Sequence, residues 1–230
     1  MKTLNSLIDF IFPKTSIISG RLINEDNSNQ YINNEESDSL GRVSEKDLKE
    51  LKDKLDSDYC LSIFTFREKD DFSKIIYNLK YAGMKKLGNY LGNLLGNEIQ
   101  NKSGLKFSGE NDLLIPVPLH KTKYRERGYN QSDFICEGVN EILKINYLKN
   151  LIKRTRHTLT QTKLNRRQRM ENMKDAFELN NRVNINIEGR NIILIDDVIT
   201  TGSTLNEVIK VVRENNCRVV IACTVAMARD

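Results

Sequence analysis

The most informative absences are those of common nucleotide-binding motifs and of metal-binding cysteine pairs. The 230-residue chain has no Gly-Lys-Ser/Thr segment of a P-loop and no Gly-x-Gly-x-x-Gly segment of a dinucleotide-binding fold, which excludes both classes. Its cysteines form no Cys-x-x-Cys pair and no zinc-like spacing with the two histidines, so we expect reduced, mostly buried thiols. The four are Cys60, Cys136, Cys217 and Cys223.

Long apolar runs and a signal sequence are also missing. No apolar stretch approaches the roughly 20 residues needed to cross a bilayer, so we predict no membrane insertion. Near the start of the chain, Asp9 interrupts the apolar part of residues 1–12, and no small-residue cleavage site follows. We therefore expect a cytoplasmic protein without a secretory signal.

The central motif lies in residues 191–204. An unbroken apolar run, residues 192–195, leads directly into Asp196 and Asp197. Such a run is typical of a strand buried on both faces, and ligands of open α/β sheets bind at the carboxyl ends of these strands. A small-residue turn then precedes helical apolar spacing, which places it at a helix amino terminus whose free amides attract anions. The turn is Thr200, Thr201, Gly202, Ser203 and Thr204.

The same residues also have a simpler interpretation. Thr204 and Glu207 match a capping box, which needs no ligand. In addition, adjacent residues of a regular strand face opposite ways, so both acids can face a ligand only if the strand ends at Asp196. The motif nevertheless resembles the binding motif of phosphoribosyltransferases that use phosphoribosyl pyrophosphate. The resemblance implies that Asp196 and Asp197 are the catalytic residues that hold the ribose hydroxyls, and that residues 200–204 bind the 5-phosphate.

Positive charge is concentrated in one part of the chain. The net charge is +5, but residues 121–169 carry 13 Lys or Arg against four Asp or Glu. A local excess of this kind indicates a face that binds pyrophosphate or nucleic acid. We expect a basic loop after the strand at residues 113–117, and a lid or binding loop at residues 153–169. The candidates for pyrophosphate or anion binding are Lys121, Arg125, Arg127 and Arg154, and those for a lid or a nucleic-acid contact are Gln161, Arg166, Arg167 and Arg169.

Alternating strands and helices predict an α/β fold with a mostly parallel, doubly wound sheet. We expect residues 177–179 to return the chain to this sheet, and residues 72–99 to form one or two packed helices. Glycine recurs every fourth residue at Gly88, Gly92 and Gly96, which clears a stripe for close approach of another element. That element is either part of the same chain or a second copy in a homo-oligomer.

Several further segments resemble the ComF (competence protein F) family, in the family's order. The resemblance covers roughly residues 65–230 and implies a fold of the type I phosphoribosyltransferase kind, with a link to DNA uptake in competent bacteria. The segments are Leu79-Lys-Tyr-x-Gly83, Pro116-Val-Pro-Leu119, Arg125-Glu-Arg-Gly-Tyr-Asn-Gln131, Thr160-Gln161, Arg166-Arg-x-Arg-x-x-Asn172 and Ala176-Phe177, besides the motif at residues 196–204.

The amino-terminal region departs from that family, whose members often begin with a four-cysteine zinc module. Here Ser16 and Ser19 stand where two of the thiolates would lie, and hydroxyls are poor zinc ligands. We therefore predict no bound zinc. We divide the chain into an amino-terminal appendage, residues 1–65, which is a partly irregular, degenerate zinc-module region, and a phosphoribosyltransferase-like domain, residues 66–230.

Three functional hypotheses follow from the sequence. The preferred one is an enzyme that binds phosphoribosyl pyrophosphate with Mg²⁺ and transfers the phosphoribosyl group to an unidentified acceptor. The second is a non-catalytic accessory of DNA uptake that holds single-stranded DNA on residues 121–169, with Tyr124 and Tyr129 stacking on bases. The third is a sensor that binds phosphoribosyl pyrophosphate without turnover.

Overall fold

The computed structural model describes residues 13–23, 27, 29–102, 107–109, 111–155 and 176–229. The strands within these residues are β1 (Tyr59–Phe66), β2 (Asp112–Pro116), β3 (Asn146–Tyr147), β4 (Ile152–Arg154), β5 (Phe177–Leu179), β6 (Asn191–Ile199) and β7 (Val219–Ala228). The helices are α1 (Asn34–Ser39), α2 (Glu45–Lys54), α3 (Asp71–Tyr81), α4 (Lys85–Lys102), α5 (Lys121–Arg127), α6 (Gln131–Leu143) and α7 (Ser203–Glu214).

The main sheet has five strands in the order β1-β7-β6-β2-β3, and every neighbouring pair is parallel. Its central strand, β6, is apolar on both sides, as its sequence predicts. Ile193 and Ile195 pack in the core that contains α3, α4 and α6, whereas Ile192 and Leu194 pack in the core that contains α2 and α7. Helices therefore cover both faces, and the predicted α/β, doubly wound, parallel arrangement is confirmed.

The glycines of α4 are explained by packing inside the chain. A side-chain carbon at Gly92 would clash with the backbone carbonyl of Ile135 on α6, and one at Gly138 would clash with the carbonyl of Asn89 on α4. At Gly88 it would lie 2.8 Å from the Cβ of Phe134. The stripe thus lets the two helix backbones meet directly, and α6 carries Gln131 and Ser132 at its amino end.

Two local predictions are wrong. The chain does not return to the main sheet at β5, because β5 pairs antiparallel with β4 in a separate two-stranded sheet, where Phe177 and Ile152 are buried in the core that contains α7.

The second wrong prediction is the basic loop after β2, which contains the helix α5. The ring nitrogen Nδ1 of His120 accepts a hydrogen bond from the backbone of Thr122 at 3.2 Å, and Gly128, with a φ of 77°, ends the helix.

The amino-terminal residues that the structure describes pack against the main domain. Ile18, Tyr31, Ile32 and Leu40 are buried in the same core as residues of β1, β6 and β7. The domain boundary placed at residue 65 falls inside β1, and this division of the chain remains a prediction. Across the described ranges, no helix has both the length and the apolar character needed to span a membrane.

Candidate functional site

The turn between β6 and α7 surrounds a small hollow at the amino end of the helix. Gly202 occupies the N-cap position in the left-handed conformation, with a φ of 79°, so the cap has no side chain. The helix therefore begins two residues before the position that a capping box of Thr204 with Glu207 requires, and that interpretation is wrong. The hydroxyls of Thr201 and Ser203 lie 2.6 Å apart. The backbone N–H of Ser203 donates to the hydroxyl oxygen of Thr201 at 3.4 Å, and the amino terminus of a helix attracts anions.

The size of this hollow suits a small anion. Its volume is about 40 Å³, whereas a single water molecule needs roughly 10–15 Å³ on this measure. Its lining includes Asp196 and every residue of the predicted turn, which are Thr200, Thr201, Gly202, Ser203 and Thr204.

Both carboxylates of the motif line one cleft beside this hollow. The Oδ1 atom of Asp196 accepts hydrogen bonds from the hydroxyl of Ser132 at 3.2 Å and from the backbone N–H of Asp197 at 2.9 Å. The Oδ1 atom of Asp197 accepts from the backbone N–H of Val198 at 2.7 Å. Strand β6 continues to Ile199, so the expectation that both acids face the cleft only if the strand ends at Asp196 is wrong. Local side-chain-to-backbone hydrogen bonds orient both groups instead.

Asp196 is held close to the midpoint of its titration at neutral pH. Burial is the main cause that raises its pKa, and the adjacent Asp197 carboxylate raises it further, to about 7. The backbone N–H of Asp197, the ammonium of Lys80 and the hydroxyl of Ser132 oppose this shift. A strongly shifted carboxyl on a cleft wall is a common property of functional sites.

Among the residues that the structure describes, four cations line the same cleft, whose volume is about 180 Å³. The Nζ atom of Lys80 lies 3.1 Å from the Oδ2 atom of Asp197. Burial lowers the pKa of Lys123, and the neighbouring charges of Arg127 and Lys80 lower it further. Burial also lowers the pKa of Arg154, to about 10, so this guanidinium stays charged at neutral pH. The cations are Lys80, Lys123, Arg127 and Arg154.

The amino end of α6 adds hydrogen-bond donors to this cleft. Gln131 is 1% exposed, and its Oε1 atom accepts a hydrogen bond from Arg127 at 3.0 Å. This contact directs the amide nitrogen of Gln131 away from Arg127. Both that nitrogen and the Nε atom of Arg127 are buried without a partner among the described atoms. The cleft is therefore rich in donors and suits a ligand with many acceptor oxygens.

Comparison with known proteins agrees with this arrangement. The "Phosphoribosyl transferase domain" family matches residues 147–230. Competence protein F of Haemophilus influenzae is 44% identical over 103 residues, which are 45% of this chain and 44% of that protein. DNA utilization protein YhgH of Shigella flexneri is 33% identical over 151 residues, which are 64% of this chain and 63% of that protein. The predicted resemblance to the ComF family is confirmed.

Among solved structures, glutamine phosphoribosylpyrophosphate amidotransferase from B. subtilis aligns with a TM-score of 0.42 and 16% identity, over 64% of this chain and 30% of that one. The alignments span 44% of competence protein F and 63% of YhgH, so this chain covers less than two thirds of either relative. The parallel sheet and the phosphoribosyl transferase match together confirm the predicted type I phosphoribosyltransferase-like fold.

The ComF-like chain brings only some of the predicted basic residues to the cleft. Arg127 and Arg154 line it. Lys121 and Arg125 are exposed on α5 and do not belong to its lining. The lid or nucleic-acid candidates fall outside the described residues, as do two of the ComF segments, residues 160–161 and 166–172. Those candidates are Gln161, Arg166, Arg167 and Arg169.

Three site residues were missed from sequence. Lys80 is an isolated cation on α3, and Gln131 and Ser132 begin α6. A fourth, Lys123, belongs to the basic segment predicted to bind phosphate, although it is not among the individual candidates. The Leu79-to-Gly83 and Arg125-to-Gln131 segments of the ComF resemblance contained Lys80 and Gln131, and this was the signal that could have identified them.

The cleft offers ligands for Mg²⁺. Asp196 and Asp197 offer carboxylate oxygens, and Mg²⁺ is commonly held by one or two carboxylates together with substrate phosphates. The residues present therefore fit Mg²⁺ carried by a phosphorylated ligand.

The expectation of no bound zinc concerns a different part of the chain, the amino-terminal region. There, Ser16 donates a hydrogen bond to Glu36 and accepts one from the backbone of Ile18 at 3.1 Å. The absence of zinc remains a prediction.

The shifted Asp196 should reduce stability above neutral pH. Its pKa is higher in the folded protein, about 7, than the ordinary value of 3.8, so its contribution to stability is fully present below pH 4 and is lost as the pH rises through 7. Asp196→Asn can keep both hydrogen bonds to the side-chain oxygen and removes the charge. We expect this variant to be more stable than the wild type by on the order of 1 kcal/mol at pH 8 and equally stable at pH 4, measured by urea unfolding.

Asp53→Asn, on the exposed surface of α2, is the control for the loss of one negative charge. If Asp196→Asn gains no more stability at pH 8 than at pH 4, relative to this control, Asp196 does not titrate as described.

Proposed function

We propose that this protein binds phosphoribosyl pyrophosphate with Mg²⁺ and transfers its phosphoribosyl group to a nitrogen nucleophile, releasing pyrophosphate. One observation carries the proposal. A phosphate-sized hollow, two adjacent carboxylates and four cations lie together at the carboxyl end of β6. Phosphoribosyl pyrophosphate has a phosphate, a ribose with two free hydroxyls and a pyrophosphate, so each part of this ligand has a chemically suited group in the site.

Each part of phosphoribosyl pyrophosphate would contact a different part of the site. Its 5-phosphate would accept hydrogen bonds from the amides and hydroxyls of residues 200–204, at the positive end of the α7 dipole. The ribose hydroxyls would donate hydrogen bonds to Asp196 and Asp197. The pyrophosphate would lie among Arg127, Arg154 and Lys123, and the buried nitrogen donors of Arg127 and Gln131 would gain acceptors.

The reaction then needs little further chemistry from the protein. A nitrogen lone pair forms a bond to C1 of the ribose while the bond from C1 to the pyrophosphate oxygen breaks, and the electron pair leaves with pyrophosphate. Positive charge grows on the sugar, as in other glycosyl transfers. The carboxylates of Asp196 and Asp197 stabilise this charge, and the cations of the cleft stabilise the leaving group. The proton of the acceptor passes to solvent. When bound, Mg²⁺ supplies further neutralisation of the pyrophosphate oxygens.

The test is to incubate the protein with phosphoribosyl pyrophosphate, Mg²⁺ and a panel of nucleobases and amines while measuring pyrophosphate release. Release that depends on one acceptor, with the phosphoribosylated product found by mass spectrometry, is the expected result. Tight donor binding without release for any acceptor would support the sensor hypothesis instead. Failure of the donor to bind would contradict both.

A second candidate is binding of single-stranded DNA, and exposed tyrosines beside the cations favour it. Tyr77 and Tyr81 are neighbours on α3, with ring centroids 5.1 Å apart, and both are more than half exposed. The guanidinium of Arg127 lies 5.0 Å from the Tyr81 ring. Tyr124 is exposed on α5, but Tyr129 is buried and donates its hydroxyl to Leu79, so its expected stacking on bases is wrong. The names of the relatives, competence protein F and DNA utilization protein, support a role in DNA uptake.

The affinity for single-stranded DNA should then fall steeply as the salt concentration rises, because lysine and arginine side chains that contact the phosphates release counterions from the DNA. We expect Tyr81→Ala with Tyr124→Ala to weaken binding of an oligothymidine by about tenfold or more, since stacking on one aromatic is worth roughly 1–3 kcal/mol per base. Neutralising Arg166, Arg167 and Arg169 should reduce the salt slope. Fluorescence anisotropy measures both effects, and weak binding with no dependence on salt would contradict this candidate.

A further inference from the structure

Lys80 reaches the proposed donor site from outside the matched phosphoribosyl transferase region. It is the tenth residue of α3, and residues 147–230 carry the match. Phe72, Ile75 and Leu79 are buried on the core side of this helix, which fixes the helix on the sheet. The next residue, Lys80, points to the carboxyl end of β6, where its ammonium lies 3.1 Å from the Oδ2 atom of Asp197.

This ion pair is largely shielded from water. The side chain of Lys80 is 21% exposed and that of Asp197 is 13% exposed. A pair at such a position is screened much less than a surface pair, and removing one partner leaves the other charge poorly compensated. A surface contact such as Lys74 with Asp71, where both side chains are about half exposed, has no comparable weight.

The surroundings of Lys80 show why the pair matters for the carboxylates. Asp196 and Asp197 are adjacent on one cleft wall and repel each other, which raises the pKa of Asp196. Within the part of the chain that the structure describes, Lys123 and Arg127 also carry positive charge here, and Arg127 and Lys80 both repel Lys123. Lys80 therefore lies between two carboxylates, which its positive charge stabilises, and cations, which it repels. Arg154 also lines the cleft, and Tyr81 follows Lys80 on α3.

We propose that Lys80 is a positioning residue of the donor site, which holds the side chain of Asp197 oriented so that the carboxylate pair can accept hydrogen bonds from both ribose hydroxyls. This inference rests on the proposed function and extends it to a helix that precedes the transferase region in the chain. Lys80 thereby links the amino-terminal part of the fold to donor binding, in addition to anchoring α3.

The test measures binding of phosphoribosyl pyrophosphate with Mg²⁺ by calorimetry at pH 7.5, for the wild type, Lys80→Gln, Lys80→Arg and Lys86→Gln. Lys86 is an exposed lysine of α4 and is the matched control. For Lys80→Gln we expect an affinity about tenfold lower or more. Lys80→Arg keeps the charge and should restore the affinity, and Lys86→Gln should match the wild type.

A purely structural role would give a different result. Lys80→Gln and Lys80→Arg would then lose thermal stability and affinity together, with no rescue by arginine, and this outcome would overturn the assignment. Normal wild-type binding that Lys80→Gln leaves unchanged would overturn it as well, without touching the proposed function. If the wild type does not bind the donor, the proposed function fails, and the role of Lys80 at a donor site fails with it.

Discussion

Replacing both Asp196 and Asp197 with asparagine should abolish measurable binding of phosphoribosyl pyrophosphate, with a loss of affinity of at least about a hundredfold. Each carboxylate would accept a hydrogen bond from a ribose hydroxyl, and hydrogen bonds to charged groups are worth roughly 1.5–3 kcal/mol each. The double variant also removes the carboxylates that would hold Mg²⁺ carried by the donor. Isothermal titration with Mg²⁺ present measures the effect at pH 8, where Asp196 of the wild type is mostly ionised.

Loss of folding is not expected to explain this result. Asparagine has nearly the same shape as aspartate, and its side-chain oxygen can keep the hydrogen bonds from Ser132 and from the backbone at residues 197 and 198. Urea unfolding of the variant at pH 8 provides the check, with Asp53→Asn as the matched control for both measurements. Binding that survives the double substitution would show that the ribose does not contact these carboxylates.

Gly92→Ala and Gly138→Ala should each destabilise the protein by about 2 kcal/mol or more. At both positions a methyl group would meet a backbone carbonyl on the facing helix, closer than the 3.0 Å that side-chain carbons keep. The backbone cannot move aside as a flexible side chain can, so relief requires α4 and α6 to separate, and overpacking of this kind costs about 1–3 kcal/mol or more. The loss would exceed the gain of about 1 kcal/mol that alanine has over glycine within a helix.

Two further variants of α4 should lose less stability than Gly92→Ala and Gly138→Ala. At Gly96 the closest contacts of an added methyl are the Cβ and Cγ1 atoms of Ile142, at 2.9 and 3.0 Å, against 2.1 Å at Gly92 and 2.0 Å at Gly138. Because this overlap is milder, Gly96→Ala should cost less. Asn97→Ala lies on the exposed side of α4 and should be neutral or slightly stabilising. The midpoint of urea unfolding measures all four variants. The described packing of α4 on α6 would be contradicted if Gly92→Ala and Asn97→Ala unfolded at the same urea concentration.

The parts of the fold that depend on residues contiguous in the chain were predictable from sequence. The buried strand, the adjacent acids, the hydroxyl-rich turn and the following helix are contiguous, so residues 191–204 define both the element β6 and the phosphate-sized hollow. The glycine spacing of α4 likewise indicated close packing, because a repeat of four residues keeps one side of a helix free of side chains. In this case the structure identified α6 of the same chain as the neighbour.

The parts that depend on distant contacts were not predictable in the same way. Lys80 lies more than 100 residues before Asp197 in the chain, and a single lysine on an amphipathic helix has no pattern that distinguishes it from a solvated one. The same applies to Gln131 and Ser132, whose position follows from the docking of α6 on α4. For α5, the density of charge suggested a loop, although lysine, arginine and glutamate are also good helix formers.

The most direct test of the account is calorimetric titration of the wild-type protein with phosphoribosyl pyrophosphate and Mg²⁺ at pH 8. The site predicts saturable binding to one site per chain, competition by pyrophosphate, and weaker binding of ribose 5-phosphate, which lacks the group that the cations of the cleft would hold. Absence of saturable binding, or equal affinity for ribose 5-phosphate, would contradict the assignment of this cleft to the phosphoribosyl donor.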